Sequence, residues 1–408
     1  MCFKEQFAKL LSETCISNKL SQEGVTKELD KIYKLLLPNI PPKLYRFRTC
    51  SVDNLISFQE NTILTCTPST FKDKYDSLVY VNFDLIEEMK KCYINAAVFD
   101  AIEEGVAQGK LYELFGGYID KVKIDELLAE NLKLSKEERR ESFLKNGENI
   151  INVLSNNVNN QVDLIRNDNL TKIACFTENI QSLNMWDLYA DGYKGYALEY
   201  DFSGFSYKNC SMCKDAKQCN KKELNYTELF PVIYTDKKYD STGDIINIAA
   251  LNVFKDIGFK IDFWEYDKLF YWKSYLYKNK EEYGHEKEWR IITRSPNDLG
   301  NKYGSVPDYG CLKAIYYGPD MEKRYKDFWH NVARQKGIRE YDVSIDKNSR
   351  KYELKIEEGG RKCHSYTNFS IISLSAGNHS TLFSASGFNQ QASLCSFNSI
   401  SPEIILHK

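Results

Sequence analysis

A chain of 408 residues with a net charge of −2, 42% hydrophobic and 13% aromatic residues has material for a large packed core or for two or three domains, which excludes a wholly disordered chain. It has no global basic field of the kind that holds nucleic acid or a membrane surface. No apolar run reaches the span of a bilayer and Met1 to Glu5 opens an amphipathic segment, so a cytoplasmic protein with its twelve scattered cysteines reduced is expected.

Phe3, Phe7, Leu10 and Leu11 recur at helical spacing, and Val25, Leu29, Ile32 and Leu36 do so after Ser21, until Pro38, Pro41 and Pro42 end the run. Residues 1–42 are read as a two-helix lead-in packed on the main domain, with a partner-binding hairpin as the alternative. Leu44 to Arg48 alternates aromatic with basic, Ser51 to Glu60 has a cap and a helical period, and Thr62 to Pro68 is β-rich: strand, helix, strand. Arg46 and Arg48 share one face of the first strand, where either presents a planar guanidinium to a phosphate or carboxylate, or serves as an ordinary edge-strand charge.

Pro68 to Asp76 is a polar loop, and about 84–172 reads as a helical insertion, with a helix start at Ser135 and an Asn-rich linker at Asn156 to Asn160. The sheet resumes at Ile173 to Glu178. Ser182 then caps a short helix, Leu183 to Asp191, closed by Gly192, with Trp186 and Tyr189 one turn apart, and Tyr196 to Phe202 is a further strand. A second insertion spans about 205–282. Its Cys210, Cys213 and Cys219 form C-x-x-C-x5-C, a spacing that can clamp zinc but lacks a nearby fourth ligand, and Ile245 to Tyr283 reads as aromatic-rich helix.

Glu286, Glu288 and Arg290 follow. As one continuous strand they would alternate onto a common face, with the carboxylates roughly 7 Å apart along it. Such a pair suits stabilisation of positive charge on a sugar carbon or the holding of a divalent metal; the alternative is solvated edge charges neutralised by Arg290. Leu312 to Tyr317 is a strand, Gly318-Pro319-Asp320 opens a helix whose free N–H groups suit a phosphate, and Lys351 to Ile356 closes the domain. The Ser- and Asn-rich residues 357–408 read as a tail.

The ordered set of Leu44 to Arg48, Phe71 to Asp76, Cys175 to Glu178, Met185 to Gly192 with Gly195, Glu286 to Arg290 and Tyr317-Gly318-Pro319 resembles the domain-of-unknown-function family 2971 over about residues 43–356. Phe71 to Asp76 departs from the family's Asn-Asp-Pro core. The chain is also similar, at the level of fold, to ADP-ribosyltransferases. That similarity implies an α+β fold with a split mixed/antiparallel sheet core and a large helical insertion, and NAD as the substrate. It implies Arg46 on the NAD phosphates, Thr177 supporting the nicotinamide ribose, and Trp186 or Tyr189 stacked on nicotinamide. Glu288 would hydrogen-bond the ribose 2′-OH and stabilise the oxocarbenium, and Glu286 would orient or deprotonate the acceptor. The functions expected are therefore an NAD-using transferase or NAD glycohydrolase, serving as a toxin or defence effector with a protein or nucleic-acid acceptor. The alternatives are a metal-dependent nuclease or hydrolase using Glu286, Glu288 and Asp73 or Asp76, and a non-catalytic nucleotide-sensing module. The NAD-using reading rests on Arg46, Trp186 and the Glu286–Glu288 doublet lining one nucleotide-sized hollow.

Overall fold

The computed structural model describes residues 2–110, 113, 121–167, 169–203, 229–256, 265–294, 301–308 and 310–359. Cys210, Cys213, Cys219 and nearly all of the 357–408 segment lie outside the described residues.

Helix α1 (Phe3–Glu13) and helix α2 (Gln22–Leu36) bury Phe7, Leu11, Val25, Leu29, Ile32 and Leu36, so the amphipathic lead-in is packed onto the domain. Strand β1 (Leu44–Arg48), helix α3 (Val52–Gln59, capped by Ser51) and strand β2 (Thr62–Cys66) follow as the alternation predicts. Residues 84–167 carry α4 (Asp84–Tyr93), α5 (Ala96–Ala107), α6 (Lys121–Asn131) and the long α7 (Lys136–Asn167).

The Asn156–Asn160 linker expectation is corrected: these residues lie inside α7. Asn157 and Asn159 donate side-chain amides to the carbonyls of Val153 and Ser155, one turn back, while Leu154, Val158, Gln161 and Ile165 are buried at helical spacing. Tertiary burial of one face outweighs the weak helix propensity of asparagine.

Strands β3 (Thr171–Thr177) and β4 (Tyr196–Tyr200) flank α8 (Leu183–Tyr189). Two short strands, β5 (Leu229–Pro231) and β6 (Ile233–Thr235), precede α9 (Thr242–Asp256) and α10 (Phe270–Leu276). The reading of 245–283 as helix fails at β7 (Tyr277–Asn279), which pairs in parallel with β6 before the single turn α11 (Lys280–Tyr283). Then come β8 (Glu288–Arg294), β9 (Tyr303–Pro307), β10 (Leu312–Tyr317), α12 (Lys323–Lys336), β11 (Arg339–Ile345) and β12 (Leu354–Glu358).

Ten of these strands form one mixed sheet, so the fold is α+β, as expected. Its pairings are antiparallel except β10 with β11, which α12 joins as a crossover. Strand β8 occupies the whole of one edge of β3. The opposite edge is shared: β1 meets it at Tyr45–Thr177 and β2 at Cys66–Ile173. The sheet therefore forks into a leaf continuing through β1, β4, β10, β11 and β12 and another through β2 and β9. Among the described residues no helix is long and apolar enough to cross a membrane.

Candidate functional site

The register fixes which predicted residues can meet. Tyr45, Thr177 and Glu288 are successive partners across β1, β3 and β8, so they share one face, and Cys175 and Arg290, another paired couple, lie on it too. The other face of β8 carries Trp289, fully buried, with Phe3 of α1 stacked on it at 6.0 Å.

The expectation of one continuous strand through Glu286, Lys287 and Glu288 is corrected. Gly284–Glu286 is a 3-10 turn and Lys287 takes a left-handed conformation (φ 48°), so β8 begins only at Glu288. The kink nonetheless leaves both carboxylates on one ammonium. Lys278 Nζ, from β7, lies 2.7 Å from Glu286 Oε2 and 3.0 Å from Glu288 Oε2. Arg290 then ties Glu288 to the polar loop, with Nε 2.9 Å from Glu288 Oε1 and Nη1 2.8 Å from Asp76 Oδ1. Its Nη2 engages Asp76 Oδ2 and its Nη1 also donates to the Tyr275 carbonyl. Neither glutamate is a solvated edge charge: exposure is 3% at Glu286, 4% at Glu288 and 0% at Arg290.

The loop 71–76 is held for this task by Arg166 of α7, whose guanidinium donates to the carbonyls of Asp73, Lys74 and Asp76. Phe71 lies under the Arg290 guanidinium, 5.6 Å from ring centre to carbon. Tyr234 of β6, the register partner of Lys278, accepts the Glu288 backbone N–H at 2.9 Å. Tyr189, at the end of α8, donates its hydroxyl to Glu286 Oε1 at 2.9 Å, and Thr177 donates to the Glu286 carbonyl.

Burial alone would push the Glu288 carboxyl up, but Arg290 and Lys278 outweigh it and hold the group well below the usual carboxylate range. Lys278 is likewise pulled down by burial and raised overall by Glu288, Asp76 and Glu286. The Tyr189 phenol is raised by burial and by the Glu286 charge, so it stays a hydrogen-bond donor. Burial and Glu288 raise the thiol of Cys175, a half-buried neighbour on the same face.

Thr177 and Tyr189 therefore do gather with Glu286 and Glu288. Arg46 and Trp186 do not converge on that point. Arg46 is on the side of β1 away from Tyr45, stacked on Phe176 at 5.6 Å and donating to the Leu64 carbonyl. Trp186 is fully buried against Phe47 at 4.9 Å, its Nε1 satisfied by the Ile180 carbonyl at 2.9 Å. An indole so enclosed packs α8 onto the sheet rather than offering a stacking surface. The N–H groups after β10 are also engaged: Gly318 donates to the Gly195 carbonyl and Asp320 to that of Tyr193. They are not a phosphate cradle, and the following helix starts only at Lys323.

Sequence reasoning missed Lys278 as a site residue and weighed Asp76 only as a metal ligand. Lys278 sits in an aromatic run that reads as helix core, and only the β6–β7 pairing turns it toward the acids. For Asp76 the available signal was the resemblance itself, which set Phe71 to Asp76 and Glu286 to Arg290 among the same ordered motifs.

A mixed α+β domain with an inward-facing acid–base cluster at the start of a sheet strand is the class so defined. Residues 185–291 match the family model described as Protein of unknown function (DUF2971). That stretch contains Trp186, Tyr189, Lys278, Glu286, Glu288 and Arg290, and leaves Arg46, Asp76 and Thr177 outside. No curated protein and no solved structure matches the chain.

Proposed function

We propose that the chain cleaves the bond between nicotinamide and ribose in NAD, passing the ADP-ribosyl group to water or to an acceptor, with Glu286 facing the ribose and with neither Arg46 nor Trp186 in the site, so that the reading rests on the acid–base cluster alone. The observation that supports this reading is the unequal saturation of the three carboxylates. Both oxygens of Asp76 and of Glu288 are taken by Arg290 or Lys278, whereas among the described residues Glu286 Oε1 meets only the Tyr189 hydroxyl. Glu286 thus keeps acceptor capacity, and Tyr189 is the partly exposed member from whose side a ligand approaches.

In the reaction the C–N bond breaks, nicotinamide leaves with the electron pair, and positive charge develops at the ribose carbon. A carboxylate fixed in a low-dielectric setting stabilises that charge without reorganising, and the acceptor's oxygen or nitrogen then forms the new bond as its proton departs to solvent. Glu288 acts as a positioning residue through Lys278. The roles implied by resemblance are here exchanged, because Glu288 is the carboxylate clamped by the guanidinium.

The same saturation disfavours the metal-dependent reading. A divalent ion would have to displace an ammonium and a guanidinium from the oxygens it needs, and among the described residues no group of three or more His, Cys, Asp or Glu is placed to hold a metal. The test is nicotinamide release from NAD by the full chain and by Glu286→Gln, followed chromatographically with water, protein extract or nucleic acid as acceptor. Loss of about 10²–10³ in rate is expected for the variant. Absence of release under every acceptor condition, or equal rates for variant and wild type, sinks the proposal.

A further inference from the structure

Of the two arginines on β1, Arg46 is satisfied by Leu64 and Phe176 and Arg48 is not. Among the described residues the Arg48 guanidinium has no carboxylate or carbonyl partner, and its Nη2 is buried without a hydrogen bond. The side chains acting most strongly on its charge are the phenols of Tyr196 and Tyr200 on β4 and the thiols of Cys66 on β2 and Cys175 on β3. Burial raises both phenols and the Cys175 thiol, so these three are neutral at physiological pH. These neighbours belong to strands on both sides of the fork, so Arg48 stands where the two leaves part.

A guanidinium withdrawn from water and given no counter-charge is costly to hold, and burial correspondingly lowers its proton affinity. Arginine cannot relieve that cost by discharging near neutral pH. The residue as a whole remains partly exposed, although its Nη2 does not. We propose that Arg48 is the receptor for an oxyanion, a phosphate or carboxylate group of a small ligand, bound where the sheet forks and separately from the Glu286 cluster. The bound group accepts from the guanidinium fork, with the Tyr200 hydroxyl as the nearby neutral donor, that of Tyr196 being donated to the Asn54 carbonyl. This inference does not rest on the glycosyl-transfer reading.

The experiment is a thermal-unfolding titration of the full chain with inorganic phosphate, and in a second arm with acetate, against chloride at fixed ionic strength. Wild type is expected to show a saturable rise in Tm of a few degrees in at least one arm, and the stronger arm identifies the oxyanion. Arg48→Met, which removes the uncompensated charge, is expected to unfold at the same or a higher temperature than wild type without the anion and to show no saturable rise. Should that variant fail to fold, phosphorus line broadening of phosphate by wild type, compared with Arg48→Lys, reads binding directly. Glu286→Gln should respond like wild type, which separates this site from the other. A flat wild-type titration in both arms overturns the proposal, as does an Arg48→Met response equal to that of wild type.

Discussion

At the scale of single residues, Glu288 is the member of the cluster whose loss costs most. Its removal leaves Arg290, fully buried, with Asp76 alone, and leaves Lys278 sharing Glu286. Neither cation is then stranded, so the cost is that of the charge-assisted hydrogen bonds that Glu288 makes to Arg290 and to Lys278, together about 3–5 kcal/mol. Glu288→Gln is therefore expected to lower stability by an amount in that range in urea denaturation, whereas Glu286→Gln loses only about 1 kcal/mol because Lys278 keeps Glu288. The sign of the pH dependence follows. The Glu288 carboxyl is depressed in the folded chain, so its contribution is complete above its unfolded pKa of about 4.3 and is lost as pH falls from there toward the folded value. Lys278 is raised, so its contribution is complete below about 10.4 and is lost as pH rises through its folded value. Unfolding free energies at pH 3, 4, 5 and 7 should fall on the acid side in wild type and fall less steeply in Glu288→Gln. Parallel curves for the two proteins would mean that Glu288 is not the group responsible.

The elements that bring these residues together depend on a few backbone positions. Lys287 sits at φ 48° between the two glutamates, a conformation that costs a β-branched residue about 1–2 kcal/mol and that glycine adopts freely. Lys287→Gly should be near neutral and Lys287→Val destabilising by about that amount. Gly195, where α8 turns into β4, is tighter: an added Cβ would stand 2.1 Å from the Arg48 carbonyl oxygen and 3.0 Å from the Ala190 Cα, both backbone atoms. Gly195→Ala is expected to cost at least about 2–3 kcal/mol. Gly243, in the first turn of α9 with nothing within 4 Å of its added Cβ, should gain about 0.5–1 kcal/mol on the same substitution. Thermal melts of the pair with opposite signs are the expected outcome. Elements with a local signal were legible in the sequence for the same reasons: Ser21, Ser51 and Ser182 cap their helices, and the alternation of Leu44 to Arg48 marks β1. Lys287 gives no such signal, because lysine says nothing of a positive φ, and the three residues of β7 are too short to interrupt an aromatic period. The Glu286–Glu288 partnership was legible as a doublet, but its geometry depends on Lys278, a partner fixed by tertiary pairing that spacing does not encode.

For the whole molecule, strand β8 is the shared wall between the acid–base cluster and the N-terminal helices. Glu288 and Arg290 stand on one of its faces, while on the other Phe3 stacks on Trp289; Phe7 lies 6.2 Å from Phe230 of β5, the register partner of Arg290. Lys4 pairs with Glu178 at 2.6 Å, and Glu178 also receives the Trp289 indole N–H at 2.6 Å. Farther along, Lys273 donates to the Thr14 carbonyl at 2.8 Å and to Asp267 Oδ2 at 2.6 Å, and Asp267 accepts the Ile16 N–H at 2.8 Å. A detachable partner-binding hairpin would leave the core whole when removed. Helix α1 instead supplies part of that core, since Phe7 and Leu11 are each 1% exposed. Phe7→Ala is expected to cost about 3–5 kcal/mol, and a chain lacking residues 2–20 should lose cooperative unfolding altogether, because the Trp289 face of β8 is then open to water. Indole fluorescence provides the check: a red-shifted emission maximum and a lost thermal transition are expected for the truncated chain. A truncated chain that melts cooperatively at the wild-type temperature would show instead that the cluster face of β8 is held by the sheet alone.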